Sequence, residues 1–377
     1  MASSSSFDVC IRGGGIVGRT LALHLAAKRL RVALYAPATP PRTTPDVRAY
    51  ALNSASRGLL EALRCWPDEA HATPVTTMLV HGDDGASVQF SAAEQGVAAL
   101  NWMVDVPALE ALLGEAVRFQ PQIELVSAPA SATLTVVCEG RHSATRDEFG
   151  VHFDTAAYGQ HALATRVLCE KPHAQVARQW FSPDGEILGM LPLGGTQGHA
   201  CAIVWSASPE RVQSLQTLDD AAFCEALQAA SQHALGTVQL STVRASWMLQ
   251  HALAARWCGH NAQGAWVLAG DAAHNVHPLA GQGLNLGLGD VAELVQVLDT
   301  RPYWRSVGDP KLLRAFERAR KTEFALVGGA GDGIQRLFAH AHPAVQALRN
   351  AGMQGFNSLS PLKKWVTQRA MGLAQPR

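Results

Sequence analysis

Apolar positions fall into three regimes along the chain. At the start, Val9 and Ile11 give a short apolar run. Beyond a glycine cluster, Val17, Leu21 and Leu25 recur at helical spacing before "RVALY" opens a second run, a pattern that predicts strand, helix, strand. In the middle the period shortens to two. There "TTMLVHGDDGASVQFSA" predicts a hairpin closed by Asp84 and Gly85, and "VARQWFSPDGEILGMLPLGGTQGHACAIVWSA" predicts three strands turned at "SPDG" and "GGTQG". "LSTVRASWMLQHALAARW" adds further strand. Towards the end, Ala265 to Ala269 form a continuous apolar run, which predicts a buried strand. After a turn through Pro278, a helix beginning near Asn285 carries Val291, Leu294, Val295 and Leu298 on one face. "RARKTEFALV" reads as helix, and the run "GGAGDG" at 328–333 as a glycine-broken helix or loop, not a second phosphate turn.

These regimes predict an α/β fold in which a Rossmann-like nucleotide-binding domain is interleaved with an antiparallel-sheet domain and followed by C-terminal helices. The nucleotide-binding domain is assigned residues 1–70, 101–150 and 259–300, the sheet domain 71–100 and 151–258, and the helical region 301–377.

Composition narrows the partners. Lys plus Arg and Asp plus Glu number 31 each, so no global field draws in nucleic acid. Seven cysteines are scattered singly, with no spacing that makes a zinc site or a disulfide framework. The start "MASSSS" has no basic region and "FDVCI" is too short for a signal segment or a span, which gives the expectation of a reduced, cytoplasmic protein acting on small molecules, with no metal.

The glycines carry the chemistry. Gly13, Gly15 and Gly18 have the GxGxxG spacing between a strand and a helix: a tight turn, close backbone approach to a pyrophosphate, and close packing of helix on strand. The carboxylate that would take the adenosine ribose is missing, because the second strand ends in Tyr35, Ala36 and Pro37. The ribose is therefore expected to be held differently. A second cluster lies in "GDAAHNVHPLAGQGLNLGLGD" at 270–290. There Gly270 and Asp271 end a strand, where a carboxylate can accept hydrogen bonds from a ligand's hydroxyls. Gly281 and Gly283 then leave bare backbone near a helix N-terminus, where a flat ring could lie.

Three segments, "GGGIVG" at 13–18, "VRAYALNSAS" at 47–56 and the 270–290 run, resemble FAD-dependent aromatic hydroxylases of the para-hydroxybenzoate hydroxylase type, especially their ubiquinone-biosynthesis branch. "PLKKWVTQRAMGL" extends the likeness towards the chain end. The resemblance implies that the Rossmann-like domain binds FAD: Gly13, Gly15 and Gly18 on the pyrophosphate, Arg48 on the flavin side, Gly270 and Asp271 at the ribityl chain. Pro278 through Asn285, with Gly281, Gly283 and Leu284 among them, would line the isoalloxazine. It further implies hydroxylation of a phenolic ring, such as that of a prenylated ubiquinone precursor, with NAD(P)H as transient co-substrate and O2 as oxygen source, by way of a flavin C4a-hydroperoxide. The sequence departs from the family at Arg12, where the first strand is normally apolar. It departs again at Glu139-Gly140, which stands for the usual Asp-Gly, and before residue 137, where a β-hairpin is expected to be missing. These departures keep open an alternative, a non-catalytic or weakly FAD-binding scaffold in a quinone-biosynthesis complex. A halogenase of this scaffold would carry Trp-x-Trp-x-x-Ile, which does not occur.

Substrate residues are less determined. Trp180, Phe181, Trp205 and Trp247 fit either a stacking platform or an ordinary sheet core. His274 and His277 are candidates to accept a phenol proton, or simply hydrogen-bond within a loop. Lys363, Lys364 and Arg369 around Trp365 fit either a peripheral membrane or complex contact or a solvated helix face.

Overall fold

The structure, a computed structural model, describes residues 7–37, 46–82, 85, 87–275 and 282–339. β1 (Phe7–Arg12) turns at Gly13 into α1 (Ile16–Ala27) and returns as β2 (Val32–Tyr35), parallel to β1 with Ile11 opposite Leu34. Leu21 and Leu25 of α1 are fully buried, each contributing about 2 kcal/mol of apolar burial. β3 (Ala49–Leu52) leads into α2 (Ser54–Glu61), capped by the Asn53 side chain accepting from the Ser56 N–H. There follow β4 (Ala72–Val75), β5 (Thr77–His81), β6 (Ser87–Ser91), α3 (Ala92–Gln95), β7 (Asn101–Asp105) and α4 (Val106–Arg118). β5 and β6 pair as the expected hairpin; Gly85 in its turn has φ +84°, and Asp84 lies outside the described residues. β3, β7 and β4 make a small sheet in that order.

Between α4 and β9 (Ala132–Val137) the chain forms only β8 (Ile123–Val126), which pairs parallel to β2, so no hairpin intervenes among residues 119–131. After α5 (Ala144–Glu148) the chain runs through β10 (Phe153–Cys169), β11 (Val176–Phe181), β12 (Ile187–Leu193) and β13 (Ala200–Ala207). α6 (Pro209–Thr217) and α7 (Asp220–Ala230) cover that sheet, and β14 (Val238–Leu240) and β15 (Ala245–Ala254) rejoin it. β16 (Cys258–Asn261) and β17 (Gly264–Leu268) return to the first sheet. A 3-10 turn at Gly270–Ala272 and β18 (His274–Asn275) then precede α8 (Gln282–Asp299) and α9 (Pro310–Ala339).

Two large sheets result. One has the order β16-β17-β9-β1-β2-β8, with α1, α4 and α8 packed on it; the other has the order β18-β15-β10-β13-β12-β11-β5-β6, with β14 beside β10. This is the interleaved α/β architecture that the sequence predicts. Two local expectations change. α8 begins at Gln282, so Gly283, Leu284 and Asn285 lie in its first turn. α9 runs unbroken through Gly328, Gly329, Gly331 and Gly333: each glycine costs about 1 kcal/mol of helix propensity, and a 30-residue helix otherwise rich in good helix formers carries that cost.

Candidate active site

The glycines sort into two kinds when a Cβ is placed on each. At Gly13, which has φ +122°, it would lie 2.2 Å from the Cys138 carbonyl oxygen; at Gly18 it would lie 1.9 Å from the Gly13 oxygen. Both are demanded by the turn itself. At Gly15 a Cβ would meet no atom within 4 Å among the described residues. Gly15 is the N-cap of α1, which has no side-chain cap and no acidic residue in its first turn. Helix N–H groups that lack intrahelical partners thus face open space, the arrangement that suits a pyrophosphate. The second cluster divides in the same way. Gly270, with φ +62°, packs on Val17, a Cβ on Gly287 would come 2.9 Å from Val17, and one on Gly289 would come 2.7 Å from Arg320. Among these four, only Gly283, in the first turn of α8, has nothing from the described residues within 4 Å. His277, Pro278 and Gly281 lie outside the described residues.

Asp290, fully buried in α8, ties this segment together. Its Oδ2 accepts from the Gly270 N–H and from His274 Nε2, each at 2.7 Å, and its Oδ1 accepts from Arg320 Nε at 2.7 Å. Burial alone would raise the carboxyl's pKa, but His274 and Arg320 outweigh it and hold the group below the usual carboxylate range. Arg320 also donates to the Leu286 carbonyl at 3.0 Å and pairs with Glu323. Of the two readings of His274, the geometry fits hydrogen bonding within the protein: its ring is 2% exposed, stacks on Trp257 at 4.7 Å and commits Nε2 to Asp290. Its position makes it a strut.

Around the open space stand Asp271, Tyr50 and Arg48. Solvent reaches the Asp271 side chain although protein walls surround it, as befits a group lining a cleft; those walls push its carboxyl upward against the pull of His274 and Arg141. Its field reaches the Tyr50 phenol, which is likewise raised, mainly by burial and against the opposing charge of Arg48. Arg48 reaches Asp46 through Nε at 2.9 Å and through Nη2, and also donates to Glu110 at 3.1 Å. Its charge is already balanced by protein. Leu284 is partly buried against the core. Asn285, 8% exposed, accepts from the Asn53 N–H at 3.0 Å and from Ser56 Oγ at 2.7 Å, and donates to the Ala51 carbonyl at 2.8 Å. Its side chain therefore clamps α8 to the β3–α2 corner and is not free for a ring.

The two departures in the first sheet belong to one cluster. Glu139 accepts from Ser143 Oγ at 2.8 Å, the Thr145 N–H at 3.0 Å and Thr145 Oγ1 at 2.6 Å, so its carboxylate caps α5. Arg12 donates to the same Thr145 hydroxyl at 3.1 Å and to Glu148 at 3.3 Å. The longer acid and the buried cation thus meet across one threonine.

The second sheet offers one face to this cleft. Strand register places Arg166, Ala202, Leu191, Ala177 and Met78 in a row on that face. The next row along the strands is Ala164, Val204, Gly189, Gln179 and Val80, and the one after holds Ala162, Ser206, Ile187 and Phe181. The first row packs against Ala49 and Ala51 of β3 and Met103 of β7. Trp247, opposite Ala162, shares this face. Trp180 and Trp205 point the other way, into the core beneath α6 and α7; for them the core reading holds. Arg166 is committed to Asp105 at 2.6 Å and to the Arg48 carbonyl at 3.0 Å. The face is apolar and lacks a free cation among its described residues.

Residues 92–325 match the family model described as "FAD binding domain". The chain is 30% identical over 393 residues to "Ubiquinone hydroxylase UbiL" of Rhodospirillum rubrum, covering 97% of this chain and 89% of that protein. It is 29% identical over 397 residues to "3-demethoxyubiquinol 3-hydroxylase" of Escherichia coli (strain K12), covering 97% and 98%. Among solved structures, p-nitrophenol 4-monooxygenase PnpA from Pseudomonas putida DLL-E4 superposes with a TM-score of 0.76 at 18% identity, covering 98% of this chain and 99% of that one. The chain belongs to the FAD-binding-domain family. Within it, the chain is an FAD-dependent monooxygenase with hydroxylases of ubiquinone biosynthesis as relatives. Among the described residues no group of three or more His, Cys, Asp or Glu could hold a metal ion, and no helix is long and apolar enough to cross a membrane.

Proposed function

We propose that this monooxygenase hydroxylates the ring of a phenolic, prenylated ubiquinone precursor, with NAD(P)H as a transient electron donor. The observation that carries this reading is the pairing of two open glycines, Gly15 and Gly283, each at a helix N-terminus, with an apolar sheet face whose described residues offer no free cation. Bound FAD supplies reduction by NAD(P)H and activation of O2. The chain supplies position. The α1 N-terminus at Gly15 holds the pyrophosphate, Asp271 accepts from the ribityl hydroxyls, and the N–H groups of the first turn of α8 favour negative charge at the ring's polar edge. The Asp290–His274–Arg320 network fixes Gly270 and α8, and the sheet face keeps water from the reacting centre. A lipid-tailed substrate would be met at a membrane surface; the basic group Lys363, Lys364 and Arg369, the expected contact, lies outside the described residues.

The test is an absorbance spectrum of the purified protein with added FAD, followed by NAD(P)H oxidation with and without a prenylated phenol. Bound flavin and oxidation stimulated by the phenol are expected, and Asp271→Ala should weaken FAD binding at least about tenfold, as loss of a hydrogen bond to a charged group does. Flavin binding without stimulation by any phenol would sink the reading.

A further inference from the structure

The middle row of the cleft face holds one polar side chain. Gln179 is 9% exposed, stands between Gly189 and Val80 in the middle row, and its amide makes no hydrogen bond to any described residue. Beside it a Cβ on Gly189 would touch only the Val204 carbonyl oxygen, at 3.5 Å, so space stays open over that glycine. The amide tip keeps contact with solvent, so it can exchange water for a polar atom of a ligand. We propose that Gln179 positions the substrate by hydrogen-bonding an uncharged oxygen of the aromatic ring, a phenol or alkoxy group, while the ring lies over Gly189. This rests on the reading of the cleft as a ring-hydroxylation site.

Charge selects the class of substrate. The only cation in the adjoining row, Arg166, is bound to Asp105 and to main-chain carbonyls, so a ring carboxylate would be buried here unpaired. A neutral oxygen carries no such penalty. An amide can donate to an alkoxy oxygen or accept from a phenol, and so serves either without a change of protonation. Its location fits that role as well. One row along the strands, Ala177 is covered by β3 and β7, so Gln179 stands one two-residue step, about 7 Å along β11, from the residue that this wall covers.

The experiment compares FAD-loaded wild type with Gln179→Leu and Gln179→Glu, using a 2-methoxyphenol bearing a short prenyl chain and, as the charged counterpart, 4-hydroxybenzoate. Three quantities are read: kcat/KM for NAD(P)H oxidation, the share of electrons recovered as hydrogen peroxide, and ligand Kd from perturbation of the flavin spectrum. For the methoxyphenol, Gln179→Leu should lower kcat/KM and raise Kd by about 10- to 100-fold and should raise the peroxide share, with flavin content unchanged. Gln179→Glu keeps an acceptor but adds charge, and should fall below wild type as well. Gln179→Met replaces the leucine variant if that one fails to load FAD. Equal kcat/KM, Kd and coupling in wild type and the apolar variant would overturn the assignment of Gln179, as would a wild-type preference for 4-hydroxybenzoate. If no phenol stimulates the wild type, it is the hydroxylase reading that falls, and with it this one.

Discussion

The two walls of the cleft are made in opposite ways. On the nucleotide side, backbone does the work: Gly13, Gly18 and Gly287 let segments approach so closely that a methyl group would collide, Gly270 takes a left-handed turn, and the polar side chains there, Asp290, Asn285 and Glu139, are turned inward to hold the backbone in place. On the sheet side, small and apolar side chains in regular rows leave a surface whose shape depends on which residue stands at each point. The first construction tolerates almost no substitution and suits a ligand that never changes. The second can be re-sculpted one residue at a time, as substrate specificity requires.

Substitution breaks this contrast most sharply within the phosphate turn. Gly18→Ala should prevent folding to a soluble, cooperatively melting protein, since its Cβ would sit 1.9 Å from the Gly13 oxygen. Gly15→Ala, three residues earlier, should leave the melting temperature of the apoprotein nearly unchanged and still reduce FAD affinity. Equal melting losses in the two variants would erase the distinction between turn glycine and ligand glycine.

Next in size is Asp290→Asn, expected to cost roughly 3–5 kcal/mol in chemical denaturation because Arg320 and His274 lose their buried counter-charge. The pH dependence follows from the sign of the shift. Asp290 has a folded-state pKa below its unfolded value, so its stabilisation is fully present above about pH 4 and is lost as pH falls through the depressed folded value. Wild type should therefore lose stability on acidification in that range more steeply than the asparagine variant; parallel curves would show that the network contributes nothing.

The smallest effect is expected at Gly283. Alanine there should stabilise α8 by about 0.5–1 kcal/mol, because its Cβ meets nothing among the described residues, while lowering flavin content. A gain in stability with full flavin content would show that the ring does not lie against this turn.

Much of the architecture could be read from apolar spacing. The β1–α1–β2 unit, the β5–β6 hairpin and the β11–β12–β13 meander each announce their period and their turn residues within a few positions. What escaped were side-chain commitments between distant segments. Asn285 belongs to Ala51 and Ser56, and Asp290 to His274 and Arg320; nothing local encodes those partners. A signal existed for Asp290, a charge set among Leu286, Leu288, Val291 and Leu294 in an apolar stripe, which requires a buried counter-charge. Glu139 and Arg12 read as separate oddities and become one cluster only when Thr145 is seen between them. The glycines of α9 misled because composition alone argues for a break, whereas flanking residues decide.

Val17 lies in a socket formed by Gly270 and Gly287, so α1 and α8 are keyed together at a single point between their N-termini. The two helix ends therefore cannot drift apart, and the protein acts as a gauge of fixed length with one stop at Gly15 and another at Gly283. On the proposed reading the pyrophosphate meets the first stop and the isoalloxazine the second, so the gauge measures the ribityl phosphate span between them.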